Sequence, residues 1–275
     1  SEDVVREYSG IFSCEGWLDP EDMLKSKKVE VVYIASPIGL HYWMASKVLN
    51  AEKHVWCEKP ITCNLADTNK LVELAKKKQK MLFESFMFLY HPQFIKVQNF
   101  VIDKKDGKLH SLVCRFGIPN LDNPGFRNDP DLCGGAFWDV GSYTVCAILE
   151  LFPKESYKLV FSEIFKKNNS KVDTSGRVLL RFSNSVMVYL EWGVGLGYKN
   201  EIELWSEYGS FYTNKIFSKP SNYKVKYKSR DQNGNESKSY EIISDQFIEM
   251  FNQFLLFSKS PNKIDEEYEK IYKRS

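Results

Sequence analysis

Between Val29 and Ile34 the chain reads VEVVYI, an apolar and largely β-branched run closed by Ser36-Pro37. That is the pattern of a strand buried on both faces of a parallel sheet. A helical stretch follows in IGLHYWMASKVLNAEK, then a short strand in KHVWCEKP, a helix in LADTNKLVELAKKKQ and a third strand in KMLFESFMF. Lysines gathered at the end of the second helix suit its negative C-terminal pole. Strand and helix alternating through short links predict a doubly wound parallel sheet.

The pattern changes near Tyr90-His91-Pro92. A helix over PQFIKVQNFVIDKKDG leads to a strand in LHSLVCRFGIP, and LDNPGFRNDPDLCGGAFWDVGSYTVCAILELF carries glycines and then ends in a helix. From Tyr157 to about Glu241 strand-like runs dominate, parted by turn signals at Ser183-Asn184-Ser185 and Tyr208-Gly209-Ser210, as hairpins of an antiparallel sheet require. SDQFIEMFNQFLLFSKS has apolar residues at helical spacing, and EEYEKIYKRS continues a helical pattern. The predicted fold class is therefore α/β then α+β: a partial parallel, doubly wound domain over residues 1–91, and a domain with an open, mostly antiparallel sheet over residues 92–275.

Composition narrows the function classes. With 43% hydrophobic and 27% charged residues and a net charge of +2, the chain is an ordinary globular protein with no bulk electrostatic reason to bind nucleic acid or membrane. No apolar run approaches the ~20 residues of a bilayer span, and SEDVVREYSG is too polar for a signal peptide. Six scattered cysteines without a CxxC pair predict reduced thiols and a cytoplasmic protein. His41, His54, His91 and His110 show no ligand spacing, so no metal is expected.

HVWCEKPIT carries the chemistry. Glu58 and Lys59 end an apolar strand, where ions are costly to desolvate unless a turn lifts them into water or a crevice uses them. The carboxyl ends of parallel strands form such a crevice. A lysine there would stabilise negative charge growing on a carbonyl oxygen, and would lower the pKa of a neighbouring phenol. The plainer alternative is a surface lysine that precedes a proline. Asp139 and Tyr143 lie four apart, on one face of a helix. Helix-start electrostatics for Asp139 and core packing for Tyr143 are the competing explanations. Gly134-Gly135 would let backbone approach a ligand. Ser36 is equally a candidate helix N-cap.

In that order, VEVVYIASPIGLH, HVWCEKPI and GGAFWDVGSY resemble the glucose–fructose oxidoreductase/inositol dehydrogenase family, often written Gfo/Idh/MocA. The resemblance implies NAD or NADP on an N-terminal Rossmann domain, and a C-terminal open-sheet domain that holds a sugar, keto-sugar or cyclic polyol. It implies Tyr143 as proton donor or acceptor, Lys59 as oxyanion stabiliser, Asp139 as orienting group, and a cis peptide before Pro60. Ala35, Ser36, Pro37 and His41 would pass beside the cofactor, Glu58 would lie near the nicotinamide, and Phe126-Arg127 would contact the dinucleotide. An arginine fork suits a pyrophosphate, though a solvated loop arginine fits residue 127 as well. Relatives pair through the open sheet face, so a homo-oligomer is expected. No GxGxxG occurs in the sequence; the first βαβ unit, which receives the pyrophosphate, is missing. A piece of a larger enzyme is expected on that ground. The alternative is a non-catalytic sugar- or protein-binding relative without strong dinucleotide binding.

Overall fold

In the structure, a computed structural model that describes residues 1–103, 105–241 and 243–275, two helices precede the first strand. They are α1 (Glu2–Phe12) and α2 (Pro20–Lys25), the latter capped by the Asp19 carboxylate on the Glu21 N–H at 2.8 Å. Strand β1 (Val31–Ile34), helix α3 (His41–Asn50), strand β2 (His54–Cys57), helix α4 (Leu65–Lys78) and strand β3 (Leu82–Glu84) follow. The three strands pair in parallel in the order β1-β2-β3. Asn64 caps α4 through the Asp67 N–H at 2.9 Å, and Lys76, Lys77 and Lys78 fill its last turn. Ala45, Val48 and Leu49 of α3 and Leu71, Val72 and Ala75 of α4 bury against Val55, Cys57 and Leu82. Leaving them exposed would forfeit about 1.5–3 kcal/mol for each larger side chain.

Beyond α5 (Pro92–Asp103) the chain builds a second sheet; Lys104, within the helix expected there, lies outside the described residues. The sheet comprises β4 (Leu109–Ile118), then, after α6 (Ser142–Leu151), β5 (Tyr157–Phe165), β6 (Ser175–Phe182), β7 (Met187–Val194), β8 (Lys199–Ser206), β9 (Gly209–Asn214), β10 (Lys226–Asp231) and β11 (Glu236–Tyr240). Their order is β11-β10-β9-β8-β4-β7-β6-β5, antiparallel throughout except for the parallel β4–β7 pair. Inward residues such as Leu112, Cys114, Val188, Leu190, Ile202 and Leu204 pack with α6 in the main core. The opposite face is open. It carries an alternating charge ladder, Glu163–Arg177 and Glu191–Arg115–Glu201, and the edge strand β5 is exposed almost throughout.

Two last helices, α7 (Gln246–Ser258) and α8 (Pro261–Arg274), return to the parallel sheet. Phe254 of α7 stacks on Trp56 of β2 with centroids 4.8 Å apart, and Ile271 of α8 joins the core of α3 and α4. One expectation needs correction. Residues 130–151 do form a helical run apolar enough to span a bilayer by length and composition, yet most of its apolar window is buried against the sheet as core.

Candidate active site

The turn after β2 carries Lys59, and the π-turn before α6 and the first turn of α6 bring Asp139 and Tyr143 to meet it. Lys59-Pro60 is cis, as the resemblance implies. The Lys59 ammonium donates to the Asp139 main-chain carbonyl, stands 3.7 Å from its carboxylate Oδ1, and lies 4.4 Å from the centroid of the Tyr143 ring. Burial lowers its pKa, opposed by the charges of Asp139 and Glu58. Asp139 sits in a single π-turn, Phe137–Gly141, and Tyr143 in the first turn of α6. Such bulges concentrate at functional sites.

Tyr143 differs from expectation. Its ring is boxed by Phe86, Phe88, Phe116 and Phe217, and its hydroxyl donates to Met87 Sδ at 3.7 Å. Burial, with the Glu58 and Asp139 charges, pushes the phenol's pKa up rather than down. The ammonium over the ring face does not reverse that, so the group stays protonated across the neutral range.

Arg127 is likewise engaged within the chain: its Nε donates to Asp139 Oδ2 at 2.7 Å and its guanidinium lies 5.0 Å from the Phe126 ring. Asp139 thus holds two cations. Gly134 and Gly135 admit close approach, but of the chain itself. A Cβ on Gly134 would fall 2.5 Å from the Arg127 carbonyl oxygen, and Gly135 has φ +117° with its Cβ position against Asp173.

At the ends of β1 and β2, Ala35 is exposed and Ser36, Pro37 and Glu58 half-exposed, side by side, with Glu58 N–H donating to Ile34 O at 2.9 Å. Ser36 is not a cap; its hydroxyl meets only the Pro37 carbonyl at 3.4 Å. His41 is fully buried, with Nδ1 2.9 Å from Pro60 O and Nε2 3.0 Å from Ser36 O, so it fastens the strand-end loop to the lysine turn rather than facing a ligand. Two supports escaped the sequence reading. Tyr33 donates to the Glu58 carboxylate. Glu84, buried, accepts the Ile61 N–H at 2.8 Å and meets Arg274, which also binds Glu150 and Glu267. The reading of VEVVYI as buried on both faces hid Tyr33, which is exposed, and a buried Glu84 had no local signal. A cavity of about 280 Å³ lies behind the turn, bordered by Pro60, Glu84, Trp138 and Arg274.

The thiol expectation is corrected too. Cys63 and Cys133 form a disulfide across 70 residues, their Cα atoms 6.3 Å apart, because the turn into α4 and the loop before the π-turn meet at the mouth of the parallel sheet. Spacing along a chain cannot reveal that proximity.

A three-stranded parallel sheet followed by a mostly antiparallel one, with the lysine turn of the first meeting Asp139 and Tyr143 from the helical run packed on the second, defines a Rossmann-type architecture. Residues 2–86 match the model of the oxidoreductase family with an NAD-binding Rossmann fold, and residues 94–212 that of the Gfo/Idh/MocA C-terminal domain. The chain belongs to the Gfo/Idh/MocA family. It is 31% identical over 218 residues to dTDP-3,4-didehydro-2,6-dideoxy-α-D-glucose 3-reductase of Saccharopolyspora spinosa, covering 79% of this chain and 65% of that protein. The Actinomadura kijaniata enzyme of the same name is 30% identical over 201 residues, 73% of this chain and 60% of that protein. The chain thus spans less than two thirds of either relative. A 3-ketoreductase from Actinomadura kijaniata, solved with NADP and TDP-benzene, superposes with a TM-score of 0.92 at 26% identity, covering 99% of this chain and 83% of that one. That enzyme has also been solved in an open conformation, and as variants with a tyrosine replaced by phenylalanine or a lysine by alanine.

Proposed function

We propose that the protein is an NAD(P)-dependent reductase acting on the keto group of a sugar, in particular a nucleotide-linked deoxy-keto-sugar. The observation that carries this reading is the Lys59 ammonium held between Asp139 and the Tyr143 ring at the mouth of a parallel sheet. The donor set fits the nicotinamide end of a dinucleotide: Ala35, Ser36 and Pro37 offer backbone at the strand ends, and Glu58 stands beside them. The names of the relatives, reductases of dTDP-keto-sugars, and the NADP in the solved neighbour support the substrate and cofactor class.

Bound NADPH supplies a hydride to the sugar's carbonyl carbon. Tyr143, protonated, gives its proton to the carbonyl oxygen, and Lys59 offsets the charge on that oxygen as it develops. Asp139 holds the lysine and, through Arg127, the loop over the crevice. We assign the boundary near residue 91 and self-association through the open sheet, on which Phe161 and Trp205 are exposed. Calorimetric titration with NADP and NAD, followed by NADPH oxidation with a dTDP-keto-sugar, tests the reading. NADP binding with turnover is expected where the pyrophosphate-binding βαβ unit is present; sugar binding without turnover there would favour a non-catalytic relative.

A further inference from the structure

Among the described residues the chain has one disulfide and four free cysteines, three of them buried. A bridge that closes 70 residues constrains the unfolded chain wherever it lies, and its location here is informative. Cys63 lies four residues beyond Lys59, between β2 and α4. Cys133 lies six residues before Asp139, on the loop that carries Arg127. The bond therefore joins the two parts of the protein that deliver the lysine and its carboxylate partner.

The loop has a second attachment beside it. Gly39, in the turn after β1, packs so closely on residues 131 and 132 that a Cβ there would fall 2.8 Å from Leu132 Cα. Arg127 reaches from the same loop to Asp139. Among the described residues, the loop, the strand ends and the lysine turn form one packed stack, and the sulfur bridge is the covalent link within it. Both bridged cysteines are half-exposed, within reach of a reagent, whereas Cys57, Cys114 and Cys146 are buried.

We propose that Cys63–Cys133 is a reversible redox modification site, taking a dithiol reductant, whose bond clasps the residue 119–136 loop over the crevice. One thiolate of the reductant attacks a sulfur of the bridge to give a mixed disulfide, and the second thiol displaces the remaining cysteine. Two electrons and two protons pass to Cys63 and Cys133, which become thiols, while the reductant leaves as its own disulfide. Oxidised, the loop is held down on the turns after β1 and β2; reduced, its hold on those two turns falls to the Gly39 packing and the Arg127–Asp139 pair, while its C-terminal end stays anchored by the Ala136 N–H on Asp173 O at 3.1 Å. Release of a bound dinucleotide then becomes faster, a step that commonly limits turnover in lidded enzymes. This last effect rests on the function proposed above.

The test equilibrates the protein in oxidised/reduced glutathione mixtures and counts thiols by alkylation and mass spectrometry. Hydrogen exchange is then followed in peptides spanning 119–136, and NADP release by stopped-flow fluorescence. Reduction by dithiothreitol should free two thiols, lower loop protection at least tenfold and speed NADP release several-fold. Cys63→Ser and Cys133→Ser should behave as the reduced protein and ignore dithiothreitol. The proposal is overturned if no bridge forms at any glutathione ratio, or if loop protection is the same in oxidised, reduced and Cys63→Ser proteins. Failure to bind NADP in either state would sink the cofactor reading instead, while loop exchange still decides the clasp.

Discussion

Lys59 is a cation whose surroundings work against its charge, and its pH behaviour should show it. With the pKa lowered by burial, the ammonium is lost as pH rises, at a pH below the ordinary lysine value of 10.5. If the charged form stabilises the oxyanion, reductive kcat should fall on the alkaline side with a midpoint below 10.5, and Lys59→Arg should remove that limb. Tyr143 should add no limb near neutrality, because its phenol is raised. Glu84 is the residue beneath: its carboxylate holds the Ile61 N–H two positions after the lysine. Glu84→Leu should cost about 3 kcal/mol in denaturant unfolding, leaving that N–H and part of the Arg274 network unpaired. Glu84→Gln, which keeps an acceptor, should cost less. Lys59, Asp139 and Tyr143 were readable because the chemistry confines them to particular residue types in short motifs. Glu84, Met87 and the Cys63–Cys133 bond were not, since nothing local marks a side chain whose partner is dozens of residues away.

Helices and strands of the parallel sheet follow their apolar periodicity closely, and β4 to β10 fall on their alternating runs. The exceptions have causes. Helix α2 is only six residues long and β11 (ESKSY) is exposed throughout, so neither carries an apolar period. The return of α7 and α8 to the first sheet depends on Trp56 meeting Phe254, a tertiary choice. Where α7 meets the second sheet, two buried bases sit close together. Lys219 donates to Ile216 O at 3.3 Å and Gln246 Oε1 at 3.1 Å; His91 accepts the Gln93 N–H at 3.0 Å. Burial lowers Lys219 to about 7 and His91 to about 4. The unfolded chain therefore binds more protons than the folded one from about pH 4 to 6.5, through the histidine, and from about 7 to 10.5, through the lysine. Stability should rise with pH across both windows, by up to a few kcal/mol in each. In urea titrations Lys219→Met should flatten the upper window and narrow the lower one, because the Lys219 charge adds to the burial that depresses His91.

For the whole molecule, the open sheet face presents apolar β5 residues beside a charge ladder, a mixture suited to a second copy in register. Light scattering should find a homo-oligomer, and Phe161→Asp together with Trp205→Glu should shift it toward monomer without loss of the far-ultraviolet circular dichroism. The function proposed here depends on two parts of the molecule converging on one reacting oxygen, the lysine turn from the first sheet and the tyrosine helix from the second. The most direct measurement is single-turnover hydride transfer from NADPH to a dTDP-keto-sugar in Lys59→Ala and Tyr143→Phe. Each should slow transfer by about 10²-fold or more, with NADP affinity within a few-fold of the unaltered protein. Transfer at the unaltered rate in both variants would contradict that convergence.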